Sequence, residues 1–264
     1  MEFSDLVQGP GERHIIYGGT RTGKSSFMDW SIRHIQETRP DAMILIADTK
    51  PRFRASVQAH GFQNRMRKDA NPLYKGWAKG PLLPNSVVVN MNSQHPFRGL
   101  WDVEKHPGEA AIMQSDDPAH WRTMVGLMSH FTAKKTSRER LLVIDEGMDF
   151  YLRNTLGIDS RNDVILRAAR AGGERNIGLM FGAHRPHGIP PLLNTLSSRV
   201  SLFYLRYGRD MKYLWEMGVP EDESSPAGDY IFKQYTIKPG GIVSEPVKAR
   251  LNLPDSYLKQ LSAT

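Results

Sequence analysis

The chain has 264 residues, of which 39% are hydrophobic and 24% charged, a balance typical of a globular protein. It contains no cysteine, which excludes disulfides and thiolate chemistry, and its net charge of +7 permits a polyanionic partner without requiring one. No apolar run approaches the roughly 20 residues needed to span a bilayer, and the N-terminus lacks the features of a signal peptide. We therefore expect a cytoplasmic protein without a membrane segment.

From His14 onward, apolar runs of strand length alternate with amphipathic segments of helix length, which predicts an α/β fold with a mostly parallel sheet. The predicted strands are 15–17, 42–47, 86–90, 110–115, 141–144, 177–183 and 199–205, and the predicted helices are 26–37, 120–131, 164–171 and 210–217. Residues 1–12 read as an N-terminal arm, 50–109 as an elaborated insertion and 229–251 as a terminal β-hairpin. Because neither an internal repeat nor a low-complexity linker interrupts the chain, we expect a single domain over residues 1–264.

Residues 18–25 read GGTRTGKS, the pattern of a phosphate-binding P-loop, directly after an apolar run. Glycines let such a loop curl so that successive amides converge on phosphate oxygens. Lys24 supplies a charge for the β- and γ-phosphates, and the Ser25 hydroxyl can bind Mg²⁺. The alternative, a glycine-rich turn that matches by chance, is disfavoured by the strand before it and the helix after it. The predicted nucleotide-binding residues are Gly18, Gly19, Thr20, Arg21, Thr22, Gly23, Lys24, Ser25 and Ser26.

Arg21 is the residue of this loop whose role the sequence leaves open, between contact with the nucleotide and exposure to solvent.

Residues 141–146 read LLVIDE, an apolar strand that ends in two acidic residues. Asp145 is predicted to hold Mg²⁺ opposite Ser25, directly or through water. Glu146 is predicted to act as general base or to position the attacking water. Taken alone, such a pair also suits a helix cap or a turn. Together with the P-loop, it indicates Mg²⁺-dependent hydrolysis of a nucleotide.

A later segment resembles the FtsK–HerA family of ring-forming, DNA-pumping ATPases. Residues 169–171 (ARA) and 176–186 (NIGLMFGAHRP) are similar to the family's helix ending in an arginine, its buried strand and its Gln-Arg-Pro sensor. Asp48 and Lys50 are similar to the family's Asp-x-Lys after the second strand, and residues 194–203 resemble the segment before the last core strand. The resemblance covers most of residues 14–217 and weakens over 50–109 and after 220.

The resemblance implies a RecA-like P-loop NTPase, a three-layer α/β/α sandwich with ATP and Mg²⁺ as cofactors and Lys24 and Glu146 as catalytic residues. It also implies an arginine supplied by a neighbouring subunit, and Arg170 is the best match by position. Arg175 and Arg199 are the next candidates. They stay open because residues 172–175 are expected to lengthen the turn before the strand, which leaves undecided which arginine reaches the neighbouring site.

His184 stands where the family has its sensor glutamine. An imidazole can donate a hydrogen bond to, or accept one from, water or the γ-phosphate. His184 is therefore a candidate for the catalytic role of the sensor. The alternative is that His184 only caps the strand.

In function, the resemblance implies a motor that translocates double-stranded DNA as a homo-oligomeric ring, most simply a hexamer. Viral genome packaging or a related DNA transfer suits a chain of this size, with a location in the host cytoplasm or virion and a capsid or portal protein as partner. Two alternatives stay open: an assembly or secretion ATPase that acts on protein, and a P-loop nucleotide switch that is not a motor.

The candidate DNA contacts are six basic residues within an acid-free stretch: Lys50, Arg52, Arg54, Arg65, Arg67 and Lys68. The same residues also suit a solvated surface. Tyr74 and Trp77 lie nearby and suit either base stacking or a local core.

Overall fold

The computed structural model describes residues 3–50, 52–55, 82–89, 91, 100, 108–115, 117–133, 136–152, 163–205, 208–216, 218–219, 230–237, 244–253 and 255. The strands are β1 (Arg13–Tyr17), β2 (Met43–Asp48), β3 (Arg54–Ala55), β4 (Leu82–Leu83), β5 (Ser86–Val89), β6 (Ala110–Gln114), β7 (Arg140–Ile144), β8 (Ile177–Ala183), β9 (Arg199–Leu202), β10 (Ile231–Thr236) and β11 (Val247–Arg250). The helices are α1 (Lys24–Thr38), α2 (Pro118–Ala133), α3 (Met148–Leu152), α4 (Val164–Arg175), α5 (Pro191–Thr195) and α6 (Gly208–Glu216). Within these described ranges, no helix combines the length and apolarity needed to cross a membrane.

Nine strands form one sheet in the order β11-β10-β9-β1-β8-β7-β2-β6-β5. The seven strands from β9 to β5 are parallel, whereas β10 runs antiparallel to β9 and β11 antiparallel to β10. The α/β fold with a mostly parallel sheet is therefore confirmed, and β10 and β11 extend that sheet as an antiparallel edge.

Helices cover both faces of the sheet, which explains why its central strands are apolar on both sides. Ile15 and Ile16 are adjacent in β1, and both are fully buried, one in each of two separate apolar clusters. The cluster around Ile16 includes the α1 side chains Phe27, Met28 and Ile32. The cluster around Ile15 includes side chains from the helices of the opposite face: Met124, Leu127, Ile165, Ala168 and Leu214. The predicted three layers follow from this division.

The parallel strands bring distant parts of the sequence to one edge of the sheet. β1, β8, β7 and β2 are successive neighbours, so their carboxyl ends lie side by side. Gly18, His184 and Asp145 follow the first three of these strands, and Asp48 is the last residue of the fourth. Ligands of open parallel sheets bind outside this edge, so the fold itself selects the place of the candidate site.

The helix before β8 is longer than the sequence predicts. It was expected to end at residue 171, with 172–175 as a lengthened turn, but α4 continues to Arg175 and closes on Asn176 with a φ of 54°. Gly172 and Gly173 are both helical, and at Gly172 the helix packs closely on the sheet. A Cβ on Gly172 would lie 2.5 Å from the carbonyl oxygen of Ile177 at the start of β8. The expectation of a longer turn is therefore wrong.

The two neighbouring glycines of α4 provide a matched test of this packing. Gly172→Ala is expected to lower the free energy of unfolding by about 1–3 kcal/mol, because its methyl group would overlap the Ile177 carbonyl. Gly173→Ala is expected to raise it by about 0.5–1 kcal/mol, because nothing lies within 4 Å of the added Cβ and alanine favours helix. Denaturant unfolding measures both. Equal effects of the two substitutions would contradict the close approach of α4 to β8.

Candidate functional site

The loop after β1 leads directly into the N-terminus of α1. Gly23 caps that helix with a φ of 104°, a left-handed conformation that favours glycine, and a Cβ there would lie 2.7 Å from the ring of Tyr230. Lys24, Ser25 and Ser26 form the first turn of α1 and are buried. The positive end of the helix dipole therefore points at the loop, as an anion-binding site requires.

The loop is tied to the sheet through its first two residues. The amide of Gly18 donates to the carbonyl oxygen of Ala183 at 3.2 Å, and the amide of Gly19 donates to that of Tyr204 at 3.0 Å. β9 ends at Leu202, before its predicted end at 205, and the Tyr204 carbonyl beyond it turns towards the loop. The amides of residues 20–25 are then the ones that can face a phosphate chain.

Lys24 and Asp145 form a buried ion pair between this loop and the end of β7. Lys24 Nζ lies 3.2 Å from Asp145 Oδ1 and donates to the Asp145 carbonyl oxygen at 3.0 Å. Ser25 Oγ donates to the same Oδ1 at 2.9 Å. The side chains of Lys24 and Asp145 are each only 3% exposed, so each charge depends on the other for compensation.

The same geometry suits the predicted Mg²⁺. Ser25 and Asp145 bring a hydroxyl and a carboxylate oxygen within 2.9 Å of each other, and oxygen atoms are the ligands that Mg²⁺ prefers. The Lys24 ammonium is the positive charge that already lies beside Asp145. These residues fit the metal that the sequence predicts.

Glu146 is surrounded by three basic groups. Its Oε2 lies 3.0 Å from His184 Nε2 and 3.7 Å from Lys50 Nζ, and its Oε1 lies 3.8 Å from Lys24 Nζ. Burial by itself raises the pKa of Glu146, but the hydrogen bond from His184 and the charges of Lys24, His184 and Lys50 outweigh burial and lower the pKa to about 2. Glu146 is therefore an ionised carboxylate at neutral pH, which accepts hydrogen bonds only.

His184 links Glu146 to the P-loop. While Nε2 faces Glu146, Nδ1 lies 3.3 Å from the carbonyl oxygen of Gly18. The imidazole thus lies inside the site, at the contact between the loop and the acidic strand end. Its role as a sensor stays a prediction.

These residues enclose a cleft of about 270 Å³. The lining residues are Gly19, Thr20, Arg21, Thr22, Gly23, Lys24, Ser25, Lys50, Arg52, Asp145, Glu146 and His184. Arg21 adopts a left-handed φ of 65° and is exposed at this lining. The four basic side chains around the cleft favour a polyanion, and a nucleoside triphosphate is such a ligand.

Two of the lining residues, Lys50 and Arg52, were expected among the DNA contacts. The structure places both in the lining of the cleft beside the P-loop, and their contact with DNA stays a prediction. The pattern Asp48-x-Lys50 at the end of a predicted strand was the available signal, but only the adjacency of β2 and β7 brings Lys50 to Glu146. The side chain of Arg54 and residues 65, 67, 68, 74 and 77 lie outside the part of the chain that the structure describes.

Hydrogen bonds to Asp48 hold the segment that contains Lys50 and Arg52. It is fully buried, and its Oδ2 accepts from the amides of Arg52 and Phe53 at 2.7 and 2.9 Å and from Gln114 Nε2 at 2.9 Å. Burial raises the pKa of Asp48 to about 7; the Asp145 carboxylate adds to the rise, and the three hydrogen bonds oppose it. A buried acid is thus the anchor of the segment after β2.

The three candidate arginines lie apart from this cleft. Arg199 Nε lies 2.8 Å from Glu12 Oε2, and Arg175 Nη1 donates to the carbonyl oxygen of Thr132 at 3.2 Å. Arg170 is exposed on α4. The cleft lining includes none of the three, so none is placed to act in its own subunit.

Comparison with solved structures finds the same fold at low sequence identity. The chain is similar to B204, the DNA-packaging ATPase from Sulfolobus Turreted Icosahedral Virus, with a TM-score of 0.56 and 14% identity, covering 91% of this chain and 100% of that one. It is also similar to the genome packaging NTPase B204 from Sulfolobus turreted icosahedral virus 2 in complex with ATP-gammaS, with a TM-score of 0.56, 13% identity and coverages of 93% and 100%. The chain therefore has the same fold as these structures.

A third similar structure is the pCW3 conjugation coupling protein TcpA with ATPgS, with a TM-score of 0.51, 13% identity and coverages of 97% of this chain and 66% of that one. No protein-family model and no curated protein matches the sequence. The similarity to B204 and TcpA supports the FtsK–HerA resemblance at the level of the fold alone.

The raised pKa of Asp48 predicts a pH-dependent contribution to stability. Between about pH 4 and pH 7 the folded chain retains a proton on Asp48 that the unfolded chain releases, so this contribution is lost as the pH rises through that window. Asp48→Asn removes the titration and keeps an oxygen acceptor. The free energy of unfolding of the wild type, relative to Asp48→Asn, is expected to fall from pH 4 to pH 7 in urea titrations. A difference that does not change with pH would contradict the assignment.

Proposed function

We propose that the protein is a Mg²⁺-dependent ATP hydrolase that translocates double-stranded DNA in genome packaging or a related DNA transfer. The main support for hydrolysis is that four side chains meet at the end of the P-loop: Lys24, Ser25, Asp145 and Glu146. A nucleotide switch needs the phosphate cradle, but the second carboxylate beside it is what hydrolysis requires.

In the proposed reaction the amides of residues 20–25 and Lys24 bind the phosphates, and Lys24 leaves Asp145 to do so. Ser25 and Asp145 would hold Mg²⁺, which would neutralise phosphate charge when bound. Glu146 accepts a hydrogen bond from water and directs it at the terminal phosphate. Because Glu146 is ionised at neutral pH, it can act on that water as a general base or by positioning it.

The DNA substrate is supported by the names of the similar structures and by the charge of the chain. B204 is described as a DNA-packaging ATPase, and TcpA as a conjugation coupling protein. A net charge of +7 suits a sequence-independent contact with phosphates. A packaging motor would work in the host cytoplasm or at the virion, against a capsid or portal protein.

Double-stranded DNA is expected to raise the rate of ATP hydrolysis several-fold, with a stimulation that falls steeply as salt rises, because phosphate contacts release counterions. Phosphate release with and without DNA at two salt concentrations measures this. Lys24→Ala is the control and is expected to abolish basal and stimulated turnover alike. Absence of both stimulation and DNA retention at low salt would contradict the translocase and favour an ATPase acting on protein.

The proposal includes a homo-oligomeric ring, most simply a hexamer, in which Arg170 reaches the neighbouring site. Arg175 and Arg199 already contact Thr132 and Glu12 within their own subunit, whereas Arg170 is exposed. Asp163, a possible partner for Arg170, instead accepts from two amides as the N-cap of α4. This leaves Arg170 as the arginine best placed to contact another copy.

Mixing of two inactive variants tests this arrangement. Glu146→Gln and Arg170→Ala are each expected to lose nearly all turnover, because one removes the water-positioning group and the other the charge that faces the neighbour. Mixed rings are expected to recover up to about a quarter of wild-type activity, since some interfaces then combine both intact residues. Arg167→Ala, on the same helix, is the control expected to remain active. No recovery in mixed rings would contradict action in trans.

A further inference from the structure

The segment after β2 adds two cations to the lining of the cleft beside the P-loop. Lys50 and Arg52 both line the cleft, and Lys50 Nζ lies 3.7 Å from Glu146 Oε2. Glu146 also lies 3.8 Å from Lys24 Nζ through its other oxygen, so its carboxylate stands between the lysine of the P-loop and Lys50. Both lysines therefore lie beside the carboxylate that is proposed to face the terminal phosphate.

The strand order indicates which phosphate these cations would meet. β2 lies three strand positions from β1 in the order β1-β8-β7-β2, a distance of about 14 Å at the usual strand spacing. The P-loop follows β1 and the water-positioning Glu146 follows β7, so a triphosphate held by the loop extends towards β2 at its terminal end. Long basic side chains from the β2 segment would then reach the terminal phosphate.

Side-chain hydrogen bonds fix the position of this segment. Asp48 binds the backbone of Arg52 and Phe53 at 2.7 and 2.9 Å, and Thr49 Oγ1 donates to Asp149 at 2.8 Å on α3. Gln114 of the neighbouring β6 binds the same Asp48 oxygen at 2.9 Å. Residues 48, 49, 52 and 53 are thus tied to the edge of the sheet, which fixes the origin of both basic side chains.

We propose that Thr49, Lys50, Arg52 and Phe53 belong to a second phosphate-binding element, in which Lys50 and Arg52 bind the γ-phosphate of the triphosphate in cis and buried Asp48 is the positioning residue. The inference rests on the proposed function and deepens it, because it assigns the recognition of ATP over ADP to the subunit that holds the nucleotide. Lys24 serves both the β- and the γ-phosphate, whereas Lys50 and Arg52 serve only the γ-phosphate, which ADP lacks.

Calorimetric titration of the full chain with ADP and with the β,γ-methylene analogue of ATP tests the proposal. Lys50→Ala/Arg52→Ala is expected to weaken binding of the analogue by roughly 10-fold or more, the loss expected for charge-assisted contacts, while ADP affinity stays within about twofold. Lys248→Ala, an exposed lysine on the far edge strand β11, is the control expected to change neither. Equal weakening of both nucleotides, or a double variant that binds both as the wild type does and loses only DNA retention, would overturn the proposal.

Substitutions of Asp48 test its positioning role through the ratio of the affinities for the triphosphate analogue and for ADP. Asp48→Ala is expected to lose the preference for the triphosphate analogue over ADP, and Asp48→Asn to keep part of it, because an amide oxygen still accepts from the backbone of the segment. Adding Asp48→Ala to the double variant is expected to cause no further loss; an additional loss would overturn the positioning role. ADP binding shows that each variant is folded, and a wild type that binds neither nucleotide would contradict the proposed function rather than this inference.

Discussion

The buried ion pair between Lys24 and Asp145 joins the two sequence segments on which the candidate site depends. Lys24 begins α1 and Asp145 ends β7, and their charges meet at 3.2 Å with almost no access to solvent. A lone charge in that position would be costly, so the loop and the strand end stabilise each other only in this arrangement. Any ligand that draws Lys24 away must supply charges of its own, and phosphate oxygens together with a metal ion meet that condition.

Close packing around the strand ends fixes the second carboxylate. A Cβ on Gly182 would lie 2.4 Å from the carbonyl oxygen of Asp145, and one on Gly147 would lie 1.9 Å from the ring of Phe181. The turn after β7 therefore lies directly against the end of β8, which carries His184. This contact places Glu146 and His184 within 3.0 Å of each other without any direct link in sequence.

Local patterns predicted most of this arrangement, and contacts between distant segments account for the rest. The P-loop and the Asp145-Glu146 pair are short motifs whose chemistry is contained in a few adjacent residues, and the apolar runs predicted their strands. The extent of α4 was missed because packing of Gly172 on β8 overrides the low helix propensity of glycine. The place of Lys50 was missed because it follows from the adjacency of β2 and β7, which no single segment encodes. The proposed contact of Arg170 with a neighbour would depend on a surface outside the single chain.

The most direct test of the account is an experimental structure of the protein with Mg²⁺ and a slowly hydrolysed ATP analogue. The account predicts phosphates on the amides of residues 20–25, with Lys24 moved from Asp145 to the phosphate chain and Glu146 facing the terminal phosphate. An analogue bound elsewhere, or phosphates on the loop with the Lys24–Asp145 pair intact, would contradict it.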